Sequence, residues 1–179
     1  MPVLLAAAAD PYVVLTRRRA DLRRHAGEIS FPGGRQDPQD ATLVDTALRE
    51  AEEEIGLPRG DVQLLGELPS TSTYATNYLI QPFVGQIQAR RRWRPSPREV
   101  DAVLELPASA LRAGRTRTRL QRRGFTFETD AYIVGEHLIW GATARIVEHL
   151  LERLESLIPP SRPVPPQGSP TPSRSRRNS

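Results

Sequence analysis

The sequence predicts a mixed α/β (α+β) domain, and two observations support this fold class. Short apolar runs bounded by Pro, Gly and polar residues recur from Val3 to Val134, as is typical of strands. Two longer segments, one carrying Val44 to Ile55 and one reaching about Ile158, repeat apolar residues at helical spacing. A chain of 179 residues is long enough to bury the core of one such domain.

The first half of the chain contributes most of the predicted strands. Two of them are separated by the Asp10-Pro11 turn. Another apolar run carries the letters NYLIQPFVGQI. The predicted strands are Val3 to Ala7, Tyr12 to Thr16, Val62 to Leu68, Tyr78 to Gln88 and Val100 to Leu106.

In the second half of the chain, the sequence predicts a short helix or turn, a loop and a hairpin. A short turn or helix begins at Ala108 to Leu111, after Pro107. The stretch from Arg112 to Arg123 is interpreted as an exposed, mobile loop, and the alternative is a lid that adds positive charge above an anionic substrate. Phe125 to Asp130 and Ala131 to Val134 are predicted to form a hairpin pair.

One predicted helix gathers acidic residues along one edge. At about 100° per residue, Glu50, Glu53 and Glu54 fall within an arc of roughly 100°, whereas Glu52 points elsewhere. Carboxylates one turn apart repel each other, so the cluster needs a counter-charge. Arg49 supplies one charge, and a hard divalent cation with oxygen ligands would supply the rest. The alternative is a solvated acidic helix face.

The residues around this helix form a longer pattern. The letters R-E-A-x-E-E-x-G-L, from Arg49 to Leu57, follow Gly33-Gly34, and Gly56 stands where a left-handed C-cap is needed. This pattern resembles the signature box of the Nudix hydrolases. The resemblance implies the Nudix fold, a mixed curved β-sheet sandwiched between helices, with the metal site on the box loop and helix. The box's isolated acid matches Asp40 counted from the glycines and Ala41 counted from the arginine, and Asp40 is taken as the nearest match.

A second pattern precedes the box and concerns the substrate. Leu15-Thr16, Arg23, Gly27 and then Phe31-Pro32-Gly33-Gly34 are similar to the signature of the coenzyme A pyrophosphatase branch of that family. The pattern departs at Arg18-Arg19, where small side chains are usual. The resemblance implies binding of substrate by Arg23, Gly27, Phe31, Gly33 and Gly34.

Arginine forks suit a ligand with a diphosphate and a further phosphate. Arg23 has a loop ion pair as its equally weighted alternative. Arg17, Arg18, Arg19 and Arg24 are interpreted as solvated charges.

The resemblance also implies a reaction. Hydrolysis of the diphosphate bond of coenzyme A or its derivatives would give 3′,5′-ADP and (acyl-)4′-phosphopantetheine, with Mg²⁺ or Mn²⁺ as cofactor. Glu50, Glu53 and Glu54 would ligate the metal, and Arg49 would orient the cluster through Glu53. The general base stays open between Glu53 and Glu99, a residue that stands where this branch places an acid outside the box.

Composition limits the partners and the compartment. All 25 basic residues are Arg, and the net charge of +4 comes from residues 159–179, since the rest carries 21 basic and 21 acidic residues. No nucleic-acid partner is therefore expected. That Pro/Ser/Arg-rich tail is predicted to be disordered, which leaves residues 1–158 as the Nudix domain.

The absence of Cys is compatible with a reducing cytosol, and the apolar start is too short to span a membrane. We therefore expect a cytoplasmic protein with a small nucleotide substrate and no membrane partner, and the sequence allows a homodimer.

Two alternative functions follow from the same residues. Another Nudix substrate, such as ADP-ribose or a dinucleoside polyphosphate, is disfavoured by the signature from Arg23 to Gly34. A non-catalytic nucleotide-binding domain would normally lack one of the box carboxylates, and Glu50, Glu53 and Glu54 are all present.

Overall fold

The strand β2 (Tyr12–Arg18) of the largest sheet is buried on both faces along Val13 to Thr16. It is seen in a computed structural model that describes residues 1–6, 8–22, 26–73, 78–89, 92–122 and 124–157. Val13 and Leu15 pack in one core cluster, and Val14 packs in a second cluster on the opposite face. Because successive side chains of a strand point to opposite faces, one apolar run supplies both clusters.

The largest sheet combines parallel and antiparallel pairs. The other strands of this sheet are β1 (Pro2–Ala6), β3 (Ile29–Ser30), β4 (Gln63–Glu67), β7 (Phe83–Ile87) and β8 (Val100–Pro107). β2 pairs antiparallel with β1, β3 and β8, and β1 also pairs parallel with β7. On its other side, β7 pairs antiparallel with β4.

Two smaller sheets complete the strands that the structure describes. β5 (Thr71–Ser72) pairs with β6 (Leu79–Ile80). The other sheet has the order β11-β10-β9. Its strands are β9 (Arg115–Arg122), β10 (Phe125–Val134) and β11 (His137–Trp140).

Helices cover the two faces of the largest sheet. Helix α1 (Leu43–Ile55) packs Ala51 and Ile55 against Leu4 and Val14. Helix α3 (Gly141–Leu157) packs on the opposite face, where residues such as Ile146 join the other cluster. The short helix α2 (Ala108–Ala113) follows β8. The predicted mixed fold, with its sheet between helices, is confirmed.

Both ends of α1 are fixed by local chemistry. The Thr42 hydroxyl accepts a hydrogen bond from the Asp45 backbone N–H at 3.1 Å, and the Asp45 carboxylate accepts one from the Thr42 N–H at 3.0 Å. At the other end Gly56 has φ 67°, in the left-handed region, and its N–H donates to the Glu52 carbonyl at 3.0 Å. The C-cap predicted at Gly56 is confirmed.

The prediction of one strand from Tyr78 to Gln88 is wrong. The segment forms β6 and β7, which belong to different sheets and are separated by Gln81-Pro82. Pro82 has no N–H to donate to a ladder, so the chain can change sheets at this point.

The Arg- and Thr-rich stretch from Arg112 to Arg123 is not a loop within the residues that the structure describes. Arg115–Arg122 form β9, which pairs with β10 along its whole length. Exposed arginines alternate there with half-buried Thr and Leu side chains, and this period of two is the strand pattern that the loop interpretation overlooked. Phe125–Val134 is likewise one strand of 10 residues, and the predicted hairpin pair is wrong.

A short strand directly precedes the last helix. His137–Trp140 form β11, and helix α3 starts at Gly141. The tail from Pro159 to Ser179 lies outside the described residues. No helix in the described part of the chain is long and apolar enough to cross a membrane.

Candidate active site

Glu54 is the buried carboxylate at the centre of the acidic cluster. Its side chain is 8% exposed, and it accepts a hydrogen bond from the Gly33 backbone N–H at 3.3 Å. Burial raises the pKa of Glu54 to about 7. The Gly33 N–H and the nearby Arg18 guanidinium oppose this rise in pKa, whereas Glu50 and Glu99 reinforce it. The positive charge of Arg18 therefore does not offset the effect of burial on Glu54.

Gly34 brings the glycine loop against Glu50. A Cβ atom at Gly34 would come within 2.7 Å of Glu50 Oε2, so a side chain cannot be accommodated unless the carboxylate moves. Burial raises the pKa of Glu50, and the hydrogen bond from Arg49 opposes that shift. The preceding residue Gly33 has φ 148°. The pair therefore allows the loop to approach α1 closely.

Arg49 connects the carboxylates of the loop and the helix. Its Nη2 donates to Asp40 Oδ2 at 3.0 Å, and its Nη1 donates to Glu50 Oε1 at 3.0 Å and to Glu53 Oε2 at 3.1 Å. The predicted contact between Arg49 and Glu53 is present. The hydrogen bond from Arg49 also holds the pKa of Asp40 well below its usual range. Asp40, the residue taken as the isolated acid of the box, therefore contacts the cluster.

Glu99 reaches the same site from the segment before β8. Its carboxylate lies 3.7 Å from Arg18 Nη1, and its side chain is 51% exposed. Two hydrogen bonds tie this segment to the end of α1: the Arg94 N–H donates to the Ile55 carbonyl at 3.1 Å, and the Ser96 N–H donates to the Glu54 carbonyl at 2.8 Å. The helix and the Glu99 segment are thus directly connected.

Arg18 is the site residue that sequence reasoning missed. Its Nη1 lies 4.0 Å from Glu54 and 3.7 Å from Glu99, and its side chain is 27% exposed, so the interpretation as a solvated charge is wrong. The available signal was strand alternation: Val14, Thr16 and Arg18 share one parity, and Val14 packs against α1. By contrast, Arg17 and Arg19 form exposed ion pairs with Asp101 and Asp21.

The predicted substrate-binding residues do not all lie at this site. Phe31 is 2% exposed and packs in the core, which weighs against direct contact with a ligand. Gly27 is exposed at φ 70° and lines a separate cavity of about 280 Å³ with Arg17 and Trp140. Arg23 lies outside the described residues.

The donor set fits a hard divalent cation in its chemistry. Two arginines contact the carboxylates, and the pKa values of two of these carboxylates are raised by burial. Oxygen donors in excess of positive charge suit Mg²⁺ or Mn²⁺. Within the described residues, however, no group of three or more acidic or His side chains is arranged to hold a metal ion. The carboxylates of the site are Asp40, Glu50, Glu53, Glu54 and Glu99.

Comparison with known proteins identifies the family. The NUDIX domain model matches residues 2–125. A protein of Photorhabdus laumondii named "Uncharacterized Nudix hydrolase NudL" is 40% identical over 147 residues, which cover 81% of this chain and 78% of that protein. The Nudix hydrolase RenU of M. Smegmatis has a similar structure, with a TM-score of 0.62 and 16% sequence identity over 90% of this chain and 87% of that one.

A third similar protein resembles this chain in structure only. The NUDIX domain of Shewanella oneidensis NrtR, solved in complex with ADP ribose, has a TM-score of 0.55 and 15% identity over 86% of this chain and 84% of that one. Such low identity supports the fold alone.

The family match and the 40% identity to NudL cover most of the chain and identify a hydrolase that acts on pyrophosphate bonds. The chain belongs to the NUDIX domain family. Enzymes of this family generally use divalent metal ions such as Mg²⁺ or Mn²⁺.

Proposed function

We propose that this Nudix hydrolase cleaves the diphosphate bond of coenzyme A or its acyl derivatives. Water adds to one phosphorus atom and the bridging oxygen leaves, so the products are 3′,5′-ADP and (acyl-)4′-phosphopantetheine. The observation that carries the hydrolytic part is Glu54, a buried carboxylate with a raised pKa beneath the Gly33-Gly34 loop. The substrate part is supported by the sequence signature from Arg23 to Gly34.

Three carboxylates would ligate the cation, and an arginine would hold two of them in position. Glu50 and Glu54, which are buried or nearly so and one helical turn apart, would hold the cation together with Glu53. The cation would neutralise the diphosphate oxygens and lower the pKa of a bound water. Arg49 holds Glu50 and Glu53 through its Nη1 and would keep both carboxylates in position.

The general base remains open between two half-exposed carboxylates. Glu53 is 59% exposed but hydrogen-bonded to Arg49, and Glu99 is 51% exposed and 3.7 Å from Arg18. Either group can meet solvent water, as a base must. A comparison of the pH–rate profiles of Glu53→Gln and Glu99→Gln distinguishes them, because loss of the base removes the acidic limb of the profile.

The sequence signature from Arg23 to Gly34 supplies residues that would bind the substrate around the Gly33-Gly34 loop. Gly33 and Gly34 leave room for the backbone to approach a diphosphate, and Arg23 would donate to a phosphate from the adjoining segment. Phe31 would support the loop from the core, and Gly27, which lines the separate cavity, would contact the substrate only away from the carboxylates. A cytoplasmic location and a homodimer are parts of the same proposal.

One experiment tests both the reaction and the substrate. Purified protein is incubated with Mg²⁺ or Mn²⁺ and a panel of coenzyme A, acyl-coenzyme A, ADP-ribose and diadenosine polyphosphates, and the products are separated by chromatography. We expect 3′,5′-ADP from the coenzyme A compounds, with little release by Glu54→Gln. Glu52→Gln is the matched control, since Glu52 lies on the same helix with an exposed side chain. Turnover confined to ADP-ribose would overturn the substrate and leave the hydrolytic mechanism.

A further inference from the structure

Arg35 lies at the rim of the acidic site, directly after Gly34. Its guanidinium carbon is 4.4 Å from the centre of the Tyr78 ring, which is a cation–π distance. The Arg35 carbonyl accepts a hydrogen bond from Arg49 Nη2 at 3.1 Å, so the same arginine that connects the carboxylates also fixes the backbone of Arg35. Its position is therefore set from both ends.

Tyr78 is held in turn by its own backbone. Its carbonyl accepts a hydrogen bond from the Thr73 N–H at 2.8 Å, and its N–H donates to Thr73 Oγ1 at 3.0 Å. The Tyr78 ring stays accessible, with the residue 46% exposed. A fixed and exposed ring beside the glycine loop is a platform on which a guanidinium can be oriented.

The charge of Arg35 is not neutralised by the acids that the structure describes. Arg18 and Arg49 both lie within 4.0 Å of carboxylates, whereas no described carboxylate lies that close to Arg35. Stacking uses the face of a guanidinium and leaves the N–H donors at its edge available. Those donors form the fork that binds a phosphate through two hydrogen bonds.

We propose that Arg35 binds a phosphate group of the nucleotide half of the substrate, and that Tyr78 is a positioning residue that orients it. The inference rests on the proposed function in so far as the ligand is a nucleotide. Because Gly34 packs on Glu50, Arg35 stands next to the carboxylates that would repel a phosphate, and it supplies attraction at that edge. The phosphate is either the 5′-phosphate at the scissile linkage or a second phosphate on the ribose.

Calorimetric binding of ligands that contain no cleavable diphosphate tests the subsite. We measure 3′,5′-ADP, 5′-AMP and adenosine in Mg²⁺ buffer against the wild type, Arg35→Gln, Tyr78→Leu and Tyr78→Phe. Arg35→Gln is expected to weaken 3′,5′-ADP binding about 10-fold, the loss of one charged bidentate contact. Tyr78→Leu is expected to weaken it about 3-fold, and Tyr78→Phe, which keeps the ring, to bind as the wild type does.

The two phosphate sources give different patterns. If Arg35 binds the 5′-phosphate, Arg35→Gln weakens 5′-AMP and 3′,5′-ADP equally. If it binds the second phosphate, only 3′,5′-ADP is affected. Adenosine binding should not change in either case. Arg59→Gln is the matched control, because Arg59 is also exposed but already lies 3.7 Å from Asp45.

Kinetics separate this role from a structural one. With the cleavable substrate, Arg35→Gln should raise KM about 10-fold with kcat and the melting temperature nearly unchanged. Unaltered binding by Arg35→Gln, or no binding of 3′,5′-ADP to the wild type, overturns the subsite. If the wild type binds 3′,5′-ADP and the variant does not, while neither hydrolyses any diphosphate in the panel, the subsite stands and the proposed function fails.

Discussion

Two regions of this molecule are rich in Arg and in acidic residues. They differ in the balance between positive and negative charges and in how deeply those charges are buried. Along β9, which forms a hairpin with β10, three arginines each form an ion pair with a different acid, one cation to one anion: Arg115 with Glu148, Arg117 with Glu128 and Arg122 with Glu28. At the active site the carboxylates outnumber the arginines that contact them, and Glu54 is buried. A surplus of buried charge of one sign is costly to a fold, so it indicates a function that the balanced hairpin does not require.

The largest effect is expected at the buried carboxylate. Glu54→Gln keeps the shape of the side chain but removes its charge, so the rate of diphosphate hydrolysis should fall on the order of 100-fold or more. Product chromatography under saturating Mg²⁺ measures this loss. Glu52→Gln should keep nearly full activity, and equal losses in the two variants would contradict the assignment of the site to one edge of α1.

The next effect tests the close approach of the glycine loop. Gly34→Ala sets a methyl group against the Glu50 carboxylate, which must move, so we expect activity to fall about 10-fold with little loss of stability, because the end of a flexible side chain can shift. Gly60→Ala is the control, because a Cβ there meets nothing within 4 Å. Denaturant unfolding and initial rates report the two quantities, and an active Gly34→Ala would show that Glu50 need not stay where it is.

The pH dependence of stability tests the surplus of charge directly. The pKa of Glu54 is raised from 4.5 to about 7, so the folded state binds the proton more tightly than the unfolded state. The resulting stability is fully present below pH 4.5 and is lost as the pH rises through about 7, at a cost of about 3 kcal/mol.

Urea unfolding in EDTA buffers from pH 4.5 to about 7 measures how the free energy of unfolding changes with pH. Glu54→Gln should remove most of the dependence, because glutamine does not titrate. If the free energy of unfolding of the wild type rises between pH 4.5 and 7, Glu54 is not the group that dominates the pH dependence of stability.

The smallest effect is expected on the balanced hairpin. Arg117 lies 3.6 Å from Glu128, and both side chains are more than half exposed. Arg117→Ala should therefore change the free energy of unfolding by less than about 0.5 kcal/mol and leave hydrolysis unchanged. Thermal melts and initial rates suffice, and a large loss of activity would place the hairpin in the machinery of the site after all.

Local patterns predicted the parts of the fold that depend on local chemistry. The Gly56 C-cap follows from a few neighbouring residues and is confirmed at the end of the helix Leu43–Ile55. The β9 strand was missed although its period of two is visible in the sequence, because the alternation is between Arg and mostly Thr and lacks the apolar face that usually marks a strand. Its pairing with β10 could not be read from local sequence.

The same limit explains which contacts of the site residues could be predicted from the sequence. The contact of Arg49 with Glu53 spans one helical turn and could be predicted from spacing. The contacts of Arg18 with Glu54 and Glu99 join segments far apart in sequence, and the Arg35–Tyr78 pair likewise depends on tertiary packing. Such contacts require the fold.

The hydrogen bonds from Arg94 and Ser96 to the last carbonyls of α1 have a consequence for local opening. A helix end normally frays first, because its last carbonyls lack partners within the helix. Here those carbonyls are capped by the segment that leads to Glu99, so the helix end and this segment should open and close as one cooperative unit. Acids contributed by two distant parts of the chain would then gain and lose their alignment together, and a half-assembled site would be rare.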